Sequence, residues 1–131
     1  SAPDFGQLAA LAALTSAAEE VKVMHRAYDR RRRYLLRRLG EAGIRVAGHP
    51  RGAFYLLVDV SDRTRDVYGY AFRILEEAGV ALTPGTDFGR FGEGYLRICY
   101  ATGMEQLEEA LDRLIEFFNR ERPESKSPTE S

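Results

Sequence analysis

A single cysteine, Cys99, leaves the chain unable to close an internal disulfide. That fits a reducing compartment, and the expectation is a cytoplasmic protein. No apolar run approaches the roughly 20 residues needed to cross a bilayer, so no membrane span is expected. No secretory or transit segment is visible. Lysine is scarce: of the 19 basic residues only Lys22 and Lys126 are lysine, and the others are arginine. Set against 20 acidic residues, they leave a net charge of -1, which argues against a general nucleic-acid binder. There is no internal repeat, and neither a P-loop nor a dinucleotide fingerprint occurs. No residue is assigned as a catalytic group or a metal ligand. The opening Ser1-Ala2-Pro3 has no methionine, as in an excised piece of a longer chain or a chain whose start has been engineered.

What is present suffices for one folded domain. The chain has 131 residues, 44% of them hydrophobic, enough for a core. Asp4 and Gln7 stand at capping-box spacing before Leu8, Leu11 and Leu14, which predicts a short first helix. Ser16 and Glu19 repeat that spacing and open a longer helix with an apolar stripe of Val21, Met24, Tyr28, Leu35, Leu39 and Ala42, stopped by Gly43. Within it Arg30 to Arg33, Arg37 and Arg38 form a basic run. With no aromatic interleaving or glycine-rich partner, this reads as a solvated helix face rather than a phosphate patch.

Ile44 to Ala47 suggests a short strand, and Gly48 to Gly52 a turn. Phe54 to Val60 is the strongest strand, with Phe54, Leu56, Val58 and Val60 on one face and Tyr55, Leu57 and Asp59 on the other. Both faces are largely apolar, so cover is expected on both sides. Thr64 to Ala78 reads as an amphipathic helix ended by Gly79, and Val80 to Thr83 as a further strand. Gly85 to Gly94 is a glycine-rich loop. After a strand at Tyr95 to Tyr100, Thr102 and Glu105 give a third capping box, opening a last helix on Met104, Leu107, Leu111, Leu114, Ile115 and Phe118. From Arg122 onward Pro, Ser, Glu and Lys predominate, and a disordered tail over 122–131 is expected beyond a domain of residues 1–121. This order suits an α/β two-layer sandwich whose small, mostly antiparallel sheet is covered by helices on one face.

Arg97 is the unusual residue of that sheet. Alternation places Leu96, Ile98 and Tyr100 toward the helices and Tyr95, Arg97 and Cys99 away from them. An arginine in mid-strand either pairs with a carboxylate of the fold, snorkels into water, or waits for an anion from outside. No remaining chain covers its face, which tilts the reading toward an anion. A dimer interface would explain the same surface.

Several stretches together resemble one family. Gln7 to Leu14, Tyr28 before the arginine run, Pro50-Arg51-Gly52-Ala53-Phe54-Tyr55, Pro84-Gly85-Thr86-Asp87-Phe88-Gly89 and Gly94 to Ala101 resemble, in order and spacing, the C-terminal small domain of fold-type I aminotransferases of classes I and II, which depend on pyridoxal 5'-phosphate (PLP). The resemblance runs from about Gln7 to Arg120. It implies that Arg97 grips the α-carboxylate of an amino acid or 2-oxo acid substrate, that Phe54 lines the substrate pocket, and that the loop at Pro84 lies near the active-site mouth. It also implies a homo-oligomer. The family's Schiff-base lysine and phosphate site lie upstream of the matched stretches, so the parent enzyme would hold PLP and this chain alone would be inactive. Related PLP enzymes performing β-elimination share the domain. A stand-alone carboxylate-binding or protein-interaction module is the alternative from a different class.

Overall fold

The computed structural model describes residues 2–121; the expected tail over 122–131 lies outside the described residues. Two helices, α1 (Asp4–Ser16) and α2 (Ala18–Glu41), lead into β1 (Tyr55–Asp59). Helix α3 (Val67–Ala78), the two-residue strand β2 (Thr83–Pro84), two single 3₁₀ turns (Gly85–Phe88 and Arg90–Gly92), β3 (Tyr95–Cys99) and α4 (Met104–Arg120) follow. The three strands form an antiparallel sheet in the order β1-β3-β2. The expected strand at Ile44 to Ala47 shrinks to one bridge, Val46 opposite Val58.

Period-two alternation sorts the sheet residues as expected. Leu56, Val58, Leu96 and Ile98 join the core with Leu35 and Leu39 of α2, Tyr70, Ala71 and Ile74 of α3, and Leu107, Leu111, Leu114, Phe117 and Phe118 of α4. Leu57, Asp59, Tyr95, Arg97 and Cys99 remain half-buried or exposed, so the described helices cover one face only. The second cover expected for the Phe54 strand is not supplied by the described residues. Helix α1 buries no side chain, and Val21 and Met24 at the start of α2 are exposed.

None of the three expected capping boxes forms. Ser16 is consumed as the last residue of α1, so it cannot adopt the non-helical backbone of a cap, and Ala17 alone separates the two helices. Pro3 and Gly103 occupy the cap positions of α1 and α4, which shifts Asp4 into the first turn and leaves Thr102 one residue too early. The one side-chain helix cap among the described residues was not anticipated: Asp66 accepts a hydrogen bond from the Gly69 amide at 2.9 Å and opens α3. Gly79 closes that helix in the left-handed conformation (φ 67°), as its position predicts.

Helices α3 and α4 are tied by a polar knot. The Tyr70 hydroxyl donates to Glu121 Oε2, and Arg73 Nη2 reaches Glu121 Oε1 at 2.6 Å. Burial pushes the Tyr70 phenol well above its usual range, and the Glu121 carboxylate adds to the shift. A raised folded pKa contributes stability that is complete below the unfolded value of 10.0 and is lost as pH rises above it. Urea midpoints at about pH 8 and about pH 10.5 should therefore fall more for the wild type than for Tyr70→Phe. Equal falls would mean that the hydroxyl contributes nothing to the pH dependence.

Candidate functional site

Arg97 sits at the centre of the middle strand. The register sets it opposite Leu57 of β1 on one side and Thr83 of β2 on the other. Its neighbours Leu96 and Ile98 are buried beneath the sheet, so alternation turns Arg97 to the face that the described helices leave open. There the guanidinium meets two rings, Phe88 with its centroid 4.6 Å from Cζ and Tyr55 at 5.5 Å. Among the described residues its buried Nε has no hydrogen-bond acceptor, and Nη2 has only a long contact of 3.5 Å to Thr83 Oγ1.

No carboxylate among the described residues lies within ion-pairing distance of Arg97. Asp59, the strand carboxylate on the same face, is already engaged. It accepts from the Ser61 amide at 3.0 Å and hydroxyl at 2.6 Å, and Arg45 lies 3.2 Å from its other oxygen. Those Ser61 hydrogen bonds, ahead of the Arg45 charge, hold the Asp59 carboxyl below its usual range. Arg97 is therefore a cation flanked by aromatic faces, with donors left over. Rings attract the charge through their quadrupoles without neutralising it, so the positive charge and the remaining donors stay open to an anion.

Phe54 departs from the row it was expected to join. Leu56, Val58 and Val60 are buried, whereas Phe54 is 47% exposed and precedes β1. The preceding Ala53 takes a left-handed φ of 67°, an uncommon conformation for a residue with a Cβ. That kink is pinned from below: the buried Tyr100 hydroxyl donates to the carbonyls of Ala53 at 2.9 Å and Gly52 at 3.2 Å. The Phe54 ring meets Tyr55 edge-on, with centroids 5.4 Å apart. Phe54, Tyr55, Arg97 and Phe88 thus form one continuous run of ring contacts. Strand alternation already placed Tyr55 on the arginine's side, but no local pattern signalled Phe88, which arrives from a loop.

That loop depends on two glycines whose backbones abut. A Cβ on Gly92 would lie 1.9 Å from the Gly85 carbonyl oxygen, and one on Gly85 would lie 2.2 Å from that of Gly92. No side chain fits at either position, and the contact packs the two 3₁₀ turns together.

The basic run of α2 is largely used within the fold. Arg32 and Arg33 pair with Asp29 at 2.6 and 2.9 Å, and Arg32 also donates to the Pro50 carbonyl at 2.8 Å. Arg38 bridges to Asp112 at 2.6 Å, while Arg31 and Arg37 lie over Tyr28 and Tyr34. A groove of about 230 Å³ lies alongside, with Met24, His25, Tyr28, Arg51 and Tyr100 among its walls; Arg97 is not one of them. Lys22 is exposed on α2 and paired with Glu19 at 2.8 Å, and Lys126 lies outside the described residues.

Comparison with known proteins places this geometry in context. Residues 1–114 match the family described as aminotransferase class I and II. The chain is 40% identical over 121 residues to (5-formylfuran-3-yl)methyl phosphate transaminase of Methanocaldococcus jannaschii, covering 92% of this chain and 32% of that protein. To aspartate/prephenate aminotransferase of Thermus thermophilus it is 43% identical over 124 residues, covering 92% and 31%. The crystal structure of an aromatic aminotransferase from Pyrococcus horikoshii superposes with a TM-score of 0.76 at 39% identity, over 81% of this chain and 28% of that one. The chain thus spans about a third of the length of the curated relatives it matches. On the strength of the matched residues and the shared fold, this chain belongs to the class I and II aminotransferases.

Proposed function

We propose that the chain is the small C-terminal domain of a PLP-dependent aminotransferase, in which Arg97 binds the α-carboxylate of the amino acid and 2-oxo acid substrates. The observation that carries this is a half-buried guanidinium with no carboxylate partner among the described residues, set on the open face of the sheet between two rings. A guanidinium offers two parallel donors to a planar carboxylate, and fixing that group orients the bonds at the substrate Cα. Phe54, half-exposed at the end of the aromatic run, would form a wall of the substrate pocket. The relatives named above are all aminotransferases, which favours amino-group transfer over β-elimination.

PLP, on which the family generally depends, supplies an electron sink for the substrate's Cα. The described residues do not fit it: the lysine among them, Lys22, is exposed on a helix and ion-paired with Glu19. Arg97's share is binding and orientation, and the cofactor would rest on chain outside this sequence. A cytoplasmic homo-oligomer completes the proposal, supported by the lone Cys99 and by the exposed Phe5, Leu8, Leu11 and Leu14 along α1.

The isolated chain should therefore take up no PLP. After incubation with PLP and dialysis, with borohydride added only then, intact mass should show no stoichiometric adduct, and no amino acid should be transaminated. A stoichiometric adduct mapped to Lys22 or Lys126 would overturn the domain reading.

A further inference from the structure

We propose that Phe88 is a positioning residue that acts through Arg97, its ring and that of Tyr55 holding the guanidinium flat between them; this rests on the carboxylate-binding reading above. An arginine side chain carries about 2 kcal/mol of rotamer freedom, and something must restrict it before it can present its donors in one plane. A neighbouring carboxylate would do so but would also neutralise the charge. Among the described residues Arg97 has none, its Nε has no acceptor, and the Thr83 contact is long. Of the two rings beside the guanidinium, that of Phe88 is the nearer, its centroid 4.6 Å from Cζ.

The surroundings of Phe88 point the same way. The residue is 58% exposed, so it fills no core. Yet its turn is fixed firmly: the Gly85 and Gly92 backbones abut, and the Gly89 amide, at a φ of 106° that favours glycine, closes the turn on the Thr86 carbonyl at 3.1 Å. A rigid turn that delivers a half-exposed ring to an unpaired cation makes sense as a way of setting the cation's plane. Tyr55 supplies the second ring, from β1, at 5.5 Å. Because a ring restrains without neutralising, the donors stay available to an incoming carboxylate.

The test uses the 131-residue chain, labelled with nitrogen-15, with the Arg97 Nε–H resonance assigned by its loss in Arg97→Gln. Side-chain order at Nε and affinity for pyruvate are measured in the wild type, Phe88→Leu and Phe88→Tyr. Leucine keeps an apolar side chain without a quadrupole; it should loosen Nε and weaken pyruvate about fivefold. Tyrosine keeps the ring and should restore both to within about twofold of the wild type. Leucine matching the wild type in order and affinity overturns the positioning role and leaves the carboxylate reading standing. Pyruvate binding that survives Arg97→Gln unchanged overturns both.

Discussion

In a full-length enzyme carrying this chain, Arg97→Lys is expected to lower kcat/KM for amino acid substrates by about ten- to over a hundredfold while leaving PLP affinity almost unchanged. Lysine keeps the charge but loses the planar fork, so one of two charge-assisted contacts to the carboxylate goes. Each such contact is worth roughly 1.5 to 3 kcal/mol, and every 1.4 kcal/mol is about a tenfold change. A compact ammonium also lacks the planar face that a guanidinium can lay on a ring, and the Tyr55 and Phe88 centroids lie 5.5 and 4.6 Å from Cζ. Steady-state kinetics for several amino acids, beside a spectral titration of the cofactor, would separate the two effects. A lysine variant within about twofold of the wild type would show that the fork does not grip the substrate.

Phe117→Ala should cost about 3 to 5 kcal/mol of stability, a large part of the roughly 5 to 15 kcal/mol that holds an ordinary domain together. Phe117 is 1% exposed in α4, its ring 5.7 Å from that of Tyr70 and 6.0 Å from that of Phe118. Its removal opens a cavity in the cluster that joins α3 and α4, beside the Arg73–Glu121 pair at 2.6 Å. The urea midpoint should drop steeply with the slope unchanged. Phe72→Ala is the control: that ring is exposed on α3, and its loss should move stability by no more than about 0.5 kcal/mol. Similar losses from the two variants would place the core elsewhere than the buried cluster of α3 and α4.

Periodicity is a local property, and what depended on it was legible. Strand β3 and the inward set Leu96, Ile98 and Tyr100, the body of α3 with its Gly79 stop, and the Leu107, Leu111, Leu114 and Phe118 stripe of α4 follow from spacing alone. So does a small antiparallel sheet covered by helices on one face. Local spacing failed where a neighbouring element took the residue first: Ser16 belongs to α1, so it cannot cap α2, and Ile115 is only half-buried while Phe117 is fully buried.

The candidate site divides along the same line. Alternation needs only consecutive residues, so one arginine in mid-strand, on the side its neighbours leave open, was legible before any fold was known. Its company was not, since that comes from segments the fold brings together. Asp59 could have paired with Arg97, but Ser61 and Arg45 hold it, and that depends on a turn and a segment far apart in the chain. Phe88 reaches Arg97 because two glycine backbones abut across a loop, a contact no sequence period encodes. Ala53's left-handed backbone turns Phe54 out of the buried row and is held by a hydroxyl from Tyr100, 47 residues further on. Side-chain direction within a strand is set by the backbone's own geometry, whereas charge pairing and ring stacking are set by which distant segments the fold brings within a few ångströms.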